Sequence, residues 1–405
     1  MNGFVPMGRI TPTAERNKPL ASDKMAGAPI KVGILFSQTG VTSATERGMS
    51  DATLFAIEQV NAAGGINGRE IVPFLLDPGS HPDAYYDLAN KLLIEFGVKI
   101  IFGCYMSSSR KAALRAVERQ NGLLCYPAQY EGFEYSRNAI YCGAVANQIS
   151  YPLGEYLLES SRNRFYMVGS DYIWPRESDR IMTEMVLRDG GEIVGRQYLK
   201  LSAKNYEFVE LVKNIKAKQP DVIFCNFVGD SIIKFYQAYA DAGLSARTMP
   251  IASLTTSEAD IAVMGHDVGA GHITSATYFQ THLSAENRTC LQKYEKWKGQ
   301  PVITNMCWEA AYFQVGLVAD ALREVETDEP DVLRKAILGR EFLAPQGKVR
   351  IDPSNGHANL WPKIGRARDD GQFEIVAIMD RVVPDPYLVS SFHRHLHSEM
   401  NALPL

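Results

Sequence analysis

The chain has 405 residues, 46% of them hydrophobic, and a formal charge of −4 at pH 7. That length exceeds the usual single core and predicts two α/β lobes, or one large domain with an appendage. The charge offers no long-range attraction for nucleic acid or an anionic membrane, so a neutral or small partner is expected.

The first thirty residues, Met1 to Ile30, mix Gly8-Arg9, Glu15-Arg16-Asn17-Lys18 and Asp23-Lys24 without a continuous apolar stretch. A secretory signal needs roughly seven to fifteen uninterrupted apolar residues. The expectation is a disordered or extended tail over 1–30 and a cytoplasmic protein, or a periplasmic one if a native signal has been removed. No run reaches the length of a membrane span. The six cysteines (Cys104, Cys125, Cys142, Cys225, Cys290, Cys307) are scattered, several in strand-like apolar runs. They form no C-x-x-C pair or His/Cys cluster, which predicts reduced, mostly buried thiols, no disulfide, no metal and no cofactor.

In chain order, Ile30 to Ser37 reads as a buried strand, Thr45 to Ala63 as a helix, and Gly64-Gly65-Ile66-Asn67-Gly68 as its stop. Strand Ile71 to Leu76, helix Pro82 to Phe96, strand Val98 to Phe102, helix Ser108 to Gln120 and strand Leu123 to Tyr126 continue the alternation. After Ala139 to Gly143 it restarts with helix Tyr151 to Ser160, strand Arg164 to Gly169, helix Pro175 to Arg188 and strand Glu192 to Tyr198. Helix Tyr206 to Lys218, strand Asp221 to Phe227, helix Asp230 to Ala242 and strand Met249 to Leu254 complete that second set. Strand His272 to Tyr278 leads to helices Ala285 to Lys298 and Asn305 to Glu324. The tail carries Lys348 to Ile351 and a hairpin of Lys363 to Arg368 with Phe373 to Met379 through Asp369-Asp370-Gly371.

Repeated strand–helix–strand units predict parallel sheets with right-handed crossovers. The expected fold is α/β, two doubly wound lobes joined by a hinge of several crossings. Lobe 1 takes 31–143 plus 276–345, and lobe 2 takes 144–275 plus 346–400. A cleft then lies between the carboxyl ends of both sheets, where hinge closure around a small ligand is natural.

Four strand ends carry unusual residues: Cys104 to Ser109, Tyr126 to Gly132, Gly169 to Glu177, and Ser253 to Glu258. In the first, Ser107 stands at a strand-to-helix turn, where a hydroxyl and free helix N–H groups converge; the alternative is a helix cap. Tyr105, Tyr126, Tyr130, Tyr172 and Trp174 stand near strand termini, where rings wall a cleft and offer hydroxyl or indole donors. Together they favour a small, polar-headed, weakly charged ligand. A nucleophilic role for Cys104 or Cys125 needs a neighbouring base, and no histidine lies near either in sequence. His393, His395 and His397 cluster near the C-terminus at a spacing that suits neither one helix face nor a metal. The Gly64 to Gly68 segment follows a helix and is no dinucleotide fingerprint, and no Walker-type loop is present.

The segments GCYMSSSRKA, CYPAQYEGFEYS, GSDYIWPRES and IASLTTSEAD resemble the AmiC-type amide sensors and, more broadly, the short-chain amide and urea receptors of the type I periplasmic-binding-protein fold. The resemblance runs from about Lys31 to the Pro384-Asp385-Pro386-Tyr387 segment. It implies that Ser107 hydrogen-bonds an amide and that Tyr105, Tyr126, Tyr172 and Trp174 close around it. The departures are Ala128 and Gln129 after the Tyr-Pro pair, and Trp174 where the family's amide sensor has tyrosine. Gln129 could meet a second polar end and Trp174 would shorten the pocket, which leaves small amides and urea level. What the resemblance implies is a non-catalytic cytoplasmic sensor of a short aliphatic amide or urea, a negative regulator acting through an RNA-binding antiterminator. The alternative is the substrate-binding receptor of a urea or short-chain amide ABC transporter, and a third reading is an amide-hydrolysing enzyme using Cys104. No direct nucleic-acid contact is expected, and a homo-oligomer is compatible with all three.

Overall fold

The computed structural model describes residues 27–389. The N-terminal tail up to residue 26 and the three C-terminal histidines lie outside them. The first set of elements is β1 (Ile30–Leu35), α1 (Ser43–Ala62), β2 (Ile71–Leu76), α2 (Pro82–Ile94), β3 (Ile100–Gly103), α3 (Ser107–Arg119), β4 (Leu123–Tyr126) and β5 (Ala139–Tyr141). Their strands form one all-parallel sheet in the order β2-β1-β3-β4-β5. β3 and β4 are buried throughout, which is why both read as continuous apolar runs.

The second set is α4 (Ala146–Glu159), β6 (Arg164–Ser170), α5 (Ile173–Arg188), β7 (Glu192–Leu199), α6 (Asn205–Lys218), β8 (Val222–Asn226), α7 (Asp230–Asp241), β9 (Ile251–Ser253), α8 (Glu258–Met264), α9 (His266–Gly269) and β10 (Ile273–Ala276). Helix α4 begins five residues before its expected start. Pro152 suits a first turn but sits inside the helix, and the Gln148 side chain accepts from the Val145 N–H at 3.1 Å to secure the earlier start.

The remaining elements are α10 (Ala285–Lys298), α11 (Met306–Val325), α12 (Pro330–Ile337), β11 (Glu341–Ala344), β12 (Gly347–Ile351), β13 (Ala358–Asn359), β14 (Lys363–Ala367) and β15 (Phe373–Ile378). The second sheet, β15-β14-β10-β9-β8-β6-β7, is mixed: β14 and β15 run antiparallel to their neighbours, as a hairpin added to a parallel core must. α10 and α11 return to α1, where Phe55 meets Tyr294, Trp297, Trp308 and Tyr312 at centroid distances of 5.1–6.5 Å.

The tail departs from its expected partition. Residues 347–359 do not join the second sheet; β11, β12 and β13 form a small antiparallel sheet, and His357 bridges Tyr141 of β5. The reason is a ring stack with centroids 4.3 Å apart, reinforced by a Tyr130 hydroxyl 2.5 Å from the His357 Nε2.

Crossings between the lobes lie at 142–145, 277–284 and 360–362, and after β15 the chain returns to the first lobe, where the Phe133 N–H donates to the Pro386 carbonyl at 2.8 Å. Buried Lys363 donates from Nζ to the Thr277 carbonyl at 2.7 Å and the Trp361 carbonyl at 2.9 Å, so it ties the second crossing to the third. Gln148 donates to the Ala358 and Val382 carbonyls at 2.9 and 3.0 Å and secures the third to α4. Glu258 accepts from the Gln280 N–H at 2.9 Å, and burial pushes its carboxyl up to about 8. The folded chain keeps a proton that the unfolded chain releases above the ordinary value of 4.5, so stability falls as pH rises from there towards 8. Glu258→Gln keeps the acceptor and removes the ionisation. It is expected to gain on the parent chain by on the order of a few kcal/mol across that window. Guanidinium midpoints at its two ends check this, and a pH-independent difference would refute it.

Candidate binding site

The carboxyl ends of both sheets face each other. At the end of β3, Cys104 takes φ +70° while its N–H donates to the Leu35 carbonyl at 2.9 Å, and the chain then passes Tyr105 and Met106 into α3. The ends of β4, β6, β8 and β9 supply Gln129, Tyr172 with Trp174, Val228, and Thr255. These eight residues, Tyr105, Met106, Ser107, Gln129, Tyr172, Trp174, Val228 and Thr255, line a cavity of about 220 Å³ including its mouth. None of them carries a charge.

Five of the eight residues singled out from the sequence thus share one wall-lining set, Tyr105, Ser107, Gln129, Tyr172 and Trp174, and Tyr130 is not in it. Tyr126 and Ala128 stand behind it. The Tyr126 hydroxyl is turned away and donates to the Tyr105 carbonyl at 2.6 Å. The backbone of Ala128 lies against Gly143, where even a Cβ would come within 1.9 Å of the Ala128 carbonyl oxygen. Met106, Val228 and Thr255 were not singled out. Met106 and Thr255 fell within the first and fourth quoted segments, and Val228 could have been found from Gly229, the turn residue that follows its strand.

Ser107 does not cap α3. Met106 is the N-cap residue, without a side-chain cap, and Ser109 bonds back to the Met106 carbonyl at 2.7 Å. The Ser107 hydroxyl instead donates to Glu131 and accepts from Arg110 Nη1 at 3.3 Å. Arg110, which reads from the sequence as displaced along its helix, is fully buried beneath the site. It pairs with Glu131 at 3.1 Å and Glu134 at 2.8 Å, and its guanidinium lies 4.9 Å from the Tyr126 ring and 4.3 Å from that of Tyr130. Lys111 completes the set on Glu134 at 2.7 Å. Burial pushes the Glu134 carboxyl up, but the Arg110 charge and its hydrogen bond, with Lys111, hold it below the usual range.

Gln129 reaches across the cleft. Its Nε2 donates to the Leu254 carbonyl at 3.2 Å, and its Oε1 lies 3.3 Å from the Cys307 thiol. A second contact between the lobes is the Asp230 N–H on the Val41 carbonyl at 3.3 Å. Burial pushes the Tyr105 and Tyr172 phenols well up, so both remain hydroxyl donors at physiological pH. Burial also pushes the Cys104 thiol far up, and nearby Glu46 adds to the shift while Arg110 offsets part of it. A thiolate nucleophile is disfavoured there.

Two parallel-cored lobes, repeated crossings between them and a cavity between facing strand ends define the type I periplasmic-binding-protein fold. The sequence pattern of the family described as periplasmic binding protein domain matches residues 30–393, and the chain belongs to that family. It is 23% identical over 305 residues to a Leu/Ile/Val-binding protein homolog of Brucella suis, covering 73% of this chain and 77% of that one. It is likewise 23% identical over 344 residues to a leucine-, isoleucine-, valine-, threonine- and alanine-binding protein of Pseudomonas aeruginosa, covering 84% and 90%. Among solved structures, the solute-binding protein of an ABC transporter from Rhodopseudomonas palustris, in complex with p-hydroxybenzoic acid, superposes with a TM-score of 0.82 at 19% identity, covering 90% and 100%. These relatives are named as binding proteins. The family description is of periplasmic proteins, and nothing in these relatives' names supports the cytoplasmic location or the antiterminator partner expected from the sequence.

Proposed function

We propose that this chain is the ligand-capturing receptor of an ABC-type transporter and that its ligand is a short neutral amide or urea. The observation that carries the ligand class is the cavity itself, which is small and lined by no charged side chain. A zwitterionic amino acid would bring both an ammonium and a carboxylate into it, and a benzoate would bring a carboxylate on a ring. The Glu131 and Glu134 carboxylates beneath Ser107 are already matched by Arg110 and Lys111, so none of these four groups is free to pair with a charged ligand. The neutral donors and acceptors of Tyr105, Ser107, Gln129 and Tyr172 suit an amide. The transporter role is supported by the names of the relatives.

A panel of thermal midpoints tests this, with acetamide, propionamide, butyramide, urea, leucine and 4-hydroxybenzoate at equal concentration. A ligand that binds only the folded chain at a hundred times its Kd stabilises it by about 2.7 kcal/mol. Acetamide or urea is expected to raise the midpoint, with leucine and 4-hydroxybenzoate inert, and Trp174→Tyr is expected to move butyramide up the ranking. A shift with leucine or 4-hydroxybenzoate and none with amides or urea would overturn the ligand class.

One observation favours a second reading, an intracellular amide sensor. All six cysteines are free and buried, the pattern of a reducing compartment. Cell fractionation of the native protein separates the two: recovery from the periplasm supports the receptor, recovery from the cytoplasm the sensor.

A further inference from the structure

We propose that Glu131 is the positioning residue that sets the hydrogen-bond polarity of Ser107, and through it selects ligands that present N–H groups. This rests on the amide or urea reading and deepens it. A serine hydroxyl has one proton and two lone pairs. Here the proton goes to Glu131 and one lone pair receives Arg110 Nη1 at 3.3 Å. Ser107 therefore offers the cavity only an acceptor.

The assignment of donor and acceptor is imposed from below. Glu131, as the ion-pair partner of Arg110 at 3.1 Å, accepts on both oxygens and has no proton to give. Arg110 is held by Glu134 and flanked by the Tyr126 and Tyr130 rings, so it cannot swing away to release Glu131. All of this is buried, with Glu131 at 3% exposure and Arg110 at 0%, where reversing a hydrogen bond leaves a lone pair facing a lone pair. A ligand carboxylate, ether or ketone oxygen placed against Ser107 meets that repulsion, whereas the NH₂ of an amide or urea meets an acceptor.

Urea, acetamide, acetone and acetate have the same number of heavy atoms and nearly the same shape, so their affinities at pH 7, measured by titration calorimetry, separate polarity from size. The parent chain is expected to bind acetamide or urea about tenfold or more tighter than acetone or acetate. In Glu131→Gln the new amide can donate to Ser107 and free its proton for the cavity, so the acetamide-to-acetone ratio is expected to fall by about tenfold. Ser107→Ala should bring the ratio near one. A role of Glu131 in stability alone would weaken all four ligands together and leave the ratios unchanged.

An unchanged ratio in folded Glu131→Gln overturns the inference and leaves the amide reading standing. Should that variant fail to fold, Glu131→Asp keeps the charge for Arg110 but withdraws it from Ser107, and the same change of ratio is required. Acetone binding as tightly as acetamide in the parent chain also overturns the inference alone. No binding of acetamide or urea by the parent chain overturns the ligand reading and the inference with it.

Discussion

Replacing Arg110 by methionine is expected to lower the unfolding free energy by about 3–5 kcal/mol, because it removes the cation from a buried cluster, leaving Glu131 uncompensated and Glu134 with Lys111 alone. Arg110 is 0% exposed and Glu131 only 3%, so the Glu131 carboxylate cannot recover its hydration without opening the wall of the cleft. Methionine fills much of the volume between the two tyrosine rings, which confines the effect to charge. Guanidinium or heat is the denaturant to use, since urea is itself a candidate ligand. The loss should shrink in acid. Glu134 is held below the usual value, so its contribution is present above the unfolded value of 4.5 and disappears as pH falls through the folded one. Below that point the Glu134 carboxyl is neutral and needs no partner. Arg110→Lys should rescue little, because one ammonium cannot reproduce the fork that serves Glu131, Glu134 and Ser107 together. An unchanged midpoint at pH 7 would refute this account of the site's foundation.

Gly229→Ala is expected to weaken ligand binding by more than about tenfold while the chain stays folded. Gly229 has φ +56° and ψ −141°, and a Cβ there would lie 2.3 Å from the carbonyl oxygen of Val41 in the opposite lobe. Beside it, the Asp230 N–H donates to that same carbonyl. The added methyl strains the backbone in any arrangement, but it collides with Val41 only when the lobes meet, so it acts on closure and hence on affinity. Gly243→Ala separates the two effects: φ is +68° and nothing lies within 4 Å of the added Cβ. That control should lower stability by about 1–2 kcal/mol and leave affinity alone. Equal affinities for Gly229→Ala and the parent chain would show that the Val41 contact does not govern closure.

Much of the architecture is legible locally. β2 and β4 begin and end where their apolar runs do, and α10 spans its expected residues, because periodicity and glycine stops are properties of short segments. The hairpin of β14 and β15 is equally local. Where local signals mislead, a distant side chain decides: Gln148 moves the start of α4 past Pro152, and the stack of His357 on Tyr141 draws residues 347–359 away from the second sheet.

The sequence by itself determined two parallel-cored lobes and a cleft at their strand ends, together with the neutral, aromatic and hydroxyl-bearing character of the residues placed there. Only the tertiary structure decided what each of those residues does. Ser107 turns to Glu131, 24 positions away, Gln129 bonds to Leu254 across 125 positions, and Arg110 lies under the site rather than beside it. A hydrogen bond's direction depends on which proton and which lone pair meet in space, and no spacing along the chain encodes that meeting.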